Sequence, residues 1–231
     1  KEVLVQSLKY FSGDELAATT WINKYCMKNK KGDYLELTPD DMHMRMAKEF
    51  GRIEQKYKDS HLLNGELQLL SPYGQKRQGL TERRIYELFK SFKYILPQGS
   101  VMAGLGNPNM LASLSNCVVM PEIHDSYGGV FQTDQELAQL FKRRCGVGID
   151  ISNLRPSGLS VSNAAETTSG AVSFMERFSN TTREVSQNGR RGALMITMDV
   201  RHPEIESFIT IKQDLKKVTG ANVSIRLSDE F

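Results

Sequence analysis

The chain has no apolar run approaching the ~20 residues a membrane-spanning helix requires. It opens without the apolar leader that directs secretion. Cysteine is scarce: Cys26, Cys117 and Cys145 are odd in number and far apart, which excludes a secreted disulfide framework and any metal-ligand spacing. Histidine is equally thin, and neither His124 nor His202 has neighbours that would make a metal site. The net charge of +3 is small and its basic residues are mixed with acids, so no nucleic-acid footprint stands out. Neither a GxGxxG nor a GxxxxGK[ST] phosphate loop occurs. These absences predict a soluble cytoplasmic protein with no metal of its own and no nucleic-acid or membrane partner.

What is present is ordinary for a globular protein: 39% apolar and 25% charged residues over 231 positions, enough for one large domain or two small ones. Ser12 and Glu15 form a capping-box pattern before Leu16, Ala17, Trp21, Ile22 and Tyr25, which predicts a helix. A second start is clearer, with Thr38 as cap, Pro39 at the first helical position and Asp40 and Asp41 at the positive end of the dipole. Met42, Met46, Phe50, Ile53 and Tyr57 then recur at helical spacing and read as core. Ser71-Pro72-Tyr73-Gly74 reads as a turn, and Thr81 caps a helix whose apolar period runs through Ile95 to Pro97.

Residues 98–112 are rich in Gly, Pro and Asn and predict a crossing between a helical domain, 1–97, and a second domain, 113–231. In the second domain strands at 116–120, 146–151, 193–200 and 221–227 alternate with helices, one of them opened by a Thr133–Glu136 capping box. Such alternation predicts parallel βαβ units. The chain stops at Phe231 just after a strand, which suggests part of a larger fold.

Four places stand out chemically. Cys117 opens a short β-type run closed by Pro121, at the mouth of a strand where a thiol can face a ligand. Glu122 to Ser126 are short polar residues suited to gripping a hydroxyl, to capping the next helix, or to both. Arg155, held by Pro156, offers either a solvated charge or a fixed guanidinium fork for a polyphosphate. In Ser186 to Gly192, Gln187 and Asn188 suit base edges and Arg190 and Arg191 suit phosphate, while Gly189 and Gly192 let the loop change shape.

Taken in order, Ser115-Asn116-Cys117, Arg144-Cys145-Gly146-Val147-Gly148-Ile149, Leu154-Arg155-Pro156-Ser157-Gly158, Ser186 to Gly192, His202-Pro203-Glu204-Ile205-Glu206-Ser207-Phe208 and Asn222-Val223-Ser224 resemble the catalytic large subunit of ribonucleotide reductase. Glu36 to Met42 is similar to that family's N-terminal helical domain. The resemblance implies an all-helical domain followed by the first half of a ten-stranded α/β barrel. It implies an enzyme that replaces the 2′-hydroxyl of ribonucleoside di- or triphosphates by thiyl-radical chemistry, under dNTP and ATP control of specificity.

On this chain Cys117 would be one of two redox cysteines. Gly99, Ser100, Ser115, Asn116 and Gly146 would line the substrate. Asp125, Ser126 and Arg155 would hold the effector at a homodimer interface made by flanking helices, and Gln187, Asn188 and Arg191 would link the effector base to substrate choice. The radical cysteine and the second redox cysteine belong to a later part of the barrel, so these residues alone would be inactive. A radical source, either a metal-containing small subunit or adenosylcobalamin, and a thioredoxin- or glutaredoxin-type dithiol are also implied. The residues leave open a non-catalytic nucleotide-binding module and another thiyl- or glycyl-radical enzyme on the same barrel.

Overall fold

The structure is a computed structural model that describes residues 1–64, 71–76, 79–185 and 192–231. These fall into two units, Lys1–Leu114 and Ser115–Phe231.

In the first unit helix α1, Glu2–Tyr10, buries only Val3 and Ser7, too sparse a pattern to read as periodicity. Ser12 does not cap the next helix: it turns left-handed (φ 54°), and α2, Glu15–Lys24, is capped instead by Asp14, whose carboxylate accepts the Ala17 N–H at 2.9 Å. Helix α3, Pro39–Asn64, starts on the expected proline, with the Thr38 N–H donating to the Asp41 carboxylate at 2.9 Å. Met42 and Met46 are wholly buried, but Tyr57 is 62% exposed, so only the first half of that apolar stripe serves the core.

Where a turn is predicted at residues 71–74, a short helix α4, Pro72–Lys76, starts on the proline. Helix α5, Glu82–Phe89, is capped by the Thr81 hydroxyl, which accepts the Arg84 N–H at 3.2 Å. It ends well before Pro97 because Ser91 and Phe92 adopt positive φ in a 3-10 turn. The predicted crossing contains helix α6, Gly99–Gly104, where burial of Ser100, Met102 and Ala103 outweighs the poor helix propensity of its glycines. Trp21, Ile22, Met42, Met46, Ile85, Phe89, Met102 and Leu105 form this unit's core.

The second unit is a parallel sheet of strands β1 (Cys117–Val119), β2 (Gly146–Asp150), β3 (Leu194–Asp199) and β4 (Ala221–Arg226), in that order. Helix α7, Tyr127–Phe141, connects β1 to β2; α8, Met175–Glu184, connects β2 to β3; and α9, Ile205–Thr210, connects β3 to β4. Crossovers that each step the same way put their helices on one face. Burial agrees: along β3, Leu194, Ile196 and Met198 are buried among α7 Phe141, α8 Phe178 and α9 Phe208, while Met195, Thr197 and Asp199 point away and are more exposed. A sheet covered on one side only, with strands in sequence order, is the opening half of an α/β barrel.

Two details differ from the sequence expectation. Helix α7 starts at Tyr127, capped by Ser126, so Thr133 lies buried inside it and caps nothing. The helix after the 153–169 loop, expected over about residues 170–185, begins with a 3-10 turn, Val172–Phe174, before α8 proper.

Candidate functional site

Strand register decides which side chains share the uncovered face. Cys117 pairs with Gly146, Val119 with Gly148, Gly148 with Met195, and Met195 with Asn222; Asp150, Thr197 and Ser224 form the next row, and Asp199 pairs with Arg226. Of these, Cys117, Val119, Gly148, Asp150, Met195, Thr197, Asn222 and Arg226 line a trough of about 550 Å³ that runs across the sheet. At one end stands Cys117, the first residue of β1 and the exposed one of the three thiols. Beside it the Gly146 N–H donates to the Asn116 carbonyl at 2.6 Å, and a Cβ at Gly146 would lie 3.1 Å from the Cys117 sulfur. Glycine at 146 therefore keeps the space next to the thiol open. At the other end Arg226 donates to both Asp150 and Asp199 at 3.2 Å, and the Arg201 and Arg226 guanidiniums hold the Asp199 carboxyl far below the usual carboxylate range.

The other cysteines sit differently. Cys26 is buried in the helical unit, where desolvation, with the Glu36 charge adding, pushes its thiol up to about 12. Cys145 is fully buried, its sulfur 3.4 Å from the Gly146 carbonyl.

A second concavity, of about 220 Å³, lies on the helix-bearing side of the unit between the start of α7 and the 153–169 loop. Asp125, Ser126 and Arg155 all line it, although thirty residues separate the first from the last. The Arg155 Nε donates to Asp125 Oδ2 at 2.6 Å and its backbone N–H to Oδ1 at 3.3 Å. Ser126 Oγ accepts the Gly129 N–H at 3.0 Å and sits 2.9 Å from His124 Nδ1, so it is a helix cap placed at the rim of a pocket. Tyr127 and Phe174, edge to face at 6.2 Å, and Asn163, Thr167 and Thr168 complete the wall. Those five were not singled out by sequence; the loop's richness in hydroxyl and amide side chains was the available signal. The pocket thus combines a guanidinium, a carboxylate, a helix N-terminus and two aromatic rings, which suits a ligand with anionic, hydroxyl-bearing and planar parts.

The remaining predicted residues divide three ways. Ser115 and Asn116 immediately precede Cys117 in the second unit. Gly99 and Ser100 open α6 of the first unit, Ser100 being buried and a Gly99 Cβ being limited by Tyr25 Cε1 at 3.1 Å. Gln187, Asn188 and Arg191 lie outside the described residues.

A family model described as "Ribonucleotide reductase, barrel domain" matches residues 115–231, and one described as "Ribonucleotide reductase, all-alpha domain" matches residues 11–109. The chain belongs to the ribonucleotide reductase large-subunit family. Among relatives, the vitamin B12-dependent ribonucleoside-diphosphate reductase of Thermoplasma acidophilum is 29% identical over 90% of this chain and 32% of its own length. The enzyme of the same name from Mycobacterium tuberculosis (strain H37Rv) is 34% identical over 64% of this chain and 21% of its own. The ribonucleoside-diphosphate reductase large chain 2 of Saccharomyces cerevisiae is 29% identical over 61% and 16%. The chain spans about a third or less of the length of these relatives.

Proposed function

We propose that this chain forms the helical domain (1–97, with the 98–112 segment leading out of it) and the first barrel part (113–231) of a ribonucleoside-diphosphate reductase. The observation that carries the reading is the Cys117 thiol, exposed at the head of β1 on the open face of a parallel sheet, beside a glycine that leaves it room. In the reaction two thiols give up two electrons and two protons. The 2′-carbon loses its hydroxyl as water and gains hydrogen, and the thiols end as a disulfide that an external thioredoxin- or glutaredoxin-type dithiol reduces. Cys117 is one of the two thiols; its partner and the radical cysteine come from a later part of the barrel. Ser115, Asn116 and Gly146 bind the substrate.

The Asp125–Ser126–Arg155 pocket takes a nucleoside triphosphate effector, dNTP or ATP: Arg155 and the α7 N-terminus meet the phosphates, Asp125 accepts from a ribose hydroxyl, and Tyr127 or Phe174 stacks on the base. Gln187, Asn188 and Arg191 relay the base's identity to the substrate site, and the coupling is reciprocal. Tyr127 and Phe131, about half exposed on α7, and Arg177 on α8, whose guanidinium stacks over Phe131 at 4.4 Å, support a homodimer contact through these helices. The radical source is adenosylcobalamin or a metal-containing small subunit. Among the described residues no three His, Cys, Asp or Glu side chains gather as metal ligands. The enzyme works in the cytoplasm; among the described residues no helix is long and apolar enough to cross a membrane.

The test is Cys117→Ser in the full-length reductase. Sustained conversion of ribonucleoside diphosphate with a dithiol reductant should be lost, and undiminished multiple turnover would overturn the assignment.

A further inference from the structure

The His202-Pro203-Glu204 turn follows β3 and reads in sequence only as a helix start, yet its side chains reach back across the unit. We propose that His202 and Glu204 are positioning residues of the candidate effector pocket, fastening the two ends of the loop that forms its wall. The proposal rests on the effector reading above.

The near end of the loop is held by His202. This imidazole is 8% exposed and donates its Nε2–H to the Leu154 carbonyl at 2.9 Å, one residue before Arg155. Its tautomer is fixed because Nδ1 accepts the Glu204 N–H at 3.1 Å. The far end is held by Glu204, whose Oε2 accepts the Ala171 N–H at 2.7 Å. Gly170 makes that approach possible: it takes φ 90°, and a Cβ there would fall 2.5 Å from Glu204 Oε1. Between these two fastenings lie Arg155, Asn163, Thr167 and Thr168 of the pocket wall.

The turn is itself anchored on the sheet. The His202 N–H donates to the Asp199 carbonyl at 3.0 Å, and the Asp199 N–H donates to Ser152 Oγ at 2.8 Å. Arg155 is also tied to Asp125, but that pair is more than a third exposed and competes with ligand for the guanidinium. These hydrogen bonds, buried at His202 and partly buried at Glu204, set where the guanidinium stands.

The test titrates dTTP calorimetrically into the full-length wild-type reductase and into its His202→Ala, Glu204→Ala, His202→Gln and Glu204→Gln variants, with a circular-dichroism melt of each. Each alanine variant should bind roughly tenfold more weakly, the affinity equivalent of one buried hydrogen bond. The glutamine variants keep a donor toward Leu154 or an acceptor toward Ala171 and should bind within about twofold of wild type. Rescue of affinity by glutamine is the readout that a merely structural role would not give. Folded alanine variants that bind as tightly as wild type overturn the assignment while leaving the effector site standing. If the alanine variants do not fold, folded glutamine variants with weakened binding overturn it and unchanged ones support it. A folded wild-type reductase that takes up no dTTP overturns the effector reading, and this assignment with it.

Discussion

Arg45 and Glu36 form a buried ion pair in the helical unit, with side-chain exposures of 8% and 3%, and replacing Arg45 by alanine should destabilise that unit severely. The Arg45 Nε donates to Glu36 Oε1 at 2.7 Å, its Nη2 to the Met102 carbonyl at 2.8 Å and its Nη1 to the Leu105 carbonyl. Glu36 Oε2 accepts the Met27 N–H at 2.8 Å. One guanidinium thus joins α3 to the segment before it and to the last turn of α6, the helix that carries Gly99 and Ser100. In Arg45→Ala the Glu36 carboxylate keeps that backbone donor but loses its countercharge, and two carbonyls lose donors. Breaking one side of a buried pair costs about 3–5 kcal/mol. Neutralising both sides, in Glu36→Gln with Arg45→Met, removes the stranded charge and should cost about 1–2 kcal/mol, mostly for the two carbonyls.

The single tryptophan, Trp21, is 2% exposed in this unit's core, so its fluorescence reports the unit's unfolding. With a urea m-value of about 1–3 kcal/mol/M, the single variant should lower the midpoint by roughly 1 M or more at unchanged m. A double variant as unstable as the single one, or a single variant shifted by less than about 0.3 M, would refute the reasoning.

Alkylation at pH 8 should show one fast thiol, Cys117, with Cys26 and Cys145 reacting only on unfolding; Cys117→Ser should abolish the fast phase, and a fast phase that survives would place the accessible thiol elsewhere. The helical unit should lose stability in mild acid. Burial holds His43 below the usual histidine range against the opposing pull of Asp40, whose Oδ1 lies 3.1 Å from Nδ1. The folded form therefore keeps the ring neutral while the unfolded chain protonates near 6.5. The stability is full above that pH and drains as pH falls through the lower folded value. Midpoints for His43→Gln should vary less between pH 7 and 5 than wild type, and an unchanged slope would contradict this.

Much of the second unit was legible because each strand carries a short apolar run and the connections carry helix periodicity. What was missed turned on tertiary contacts. The Thr133–Glu136 capping-box pattern places the start of α7 too late, inside the helix that begins at Tyr127. In the fold, Gly129 is required by the close approach of the His124 carbonyl, which a Cβ there would meet at 2.2 Å. Helix α6 reads as a crossing because its glycines mask burial against the helical core. Ser12 lost the cap to Asp14 because a left-handed turn at residues 12 and 13 displaces the helix start. The site shows the same division. Cys117 was visible as a residue type at a strand mouth, whereas the meeting of Asp125 with Arg155 depends on how the ends of β1 and β2 lie side by side, and no local pattern encodes that. Resemblance to a family supplied the pairing that spacing alone could not.

The most direct test of the account is calorimetric titration of the chain with dTTP, dGTP and dATP beside Arg155→Ala, with sedimentation before and after ligand. The Asp125–Arg155 pair is more than a third exposed, so the variant should lose at most about 1 kcal/mol of stability. It should lose the charge-assisted phosphate contact outright, a weakening of roughly tenfold to a hundredfold. Wild type should bind saturably and Arg155→Ala more weakly by that factor, with the dimer favoured by nucleotide. Wild-type binding that survives intact in a folded Arg155→Ala chain would contradict the account.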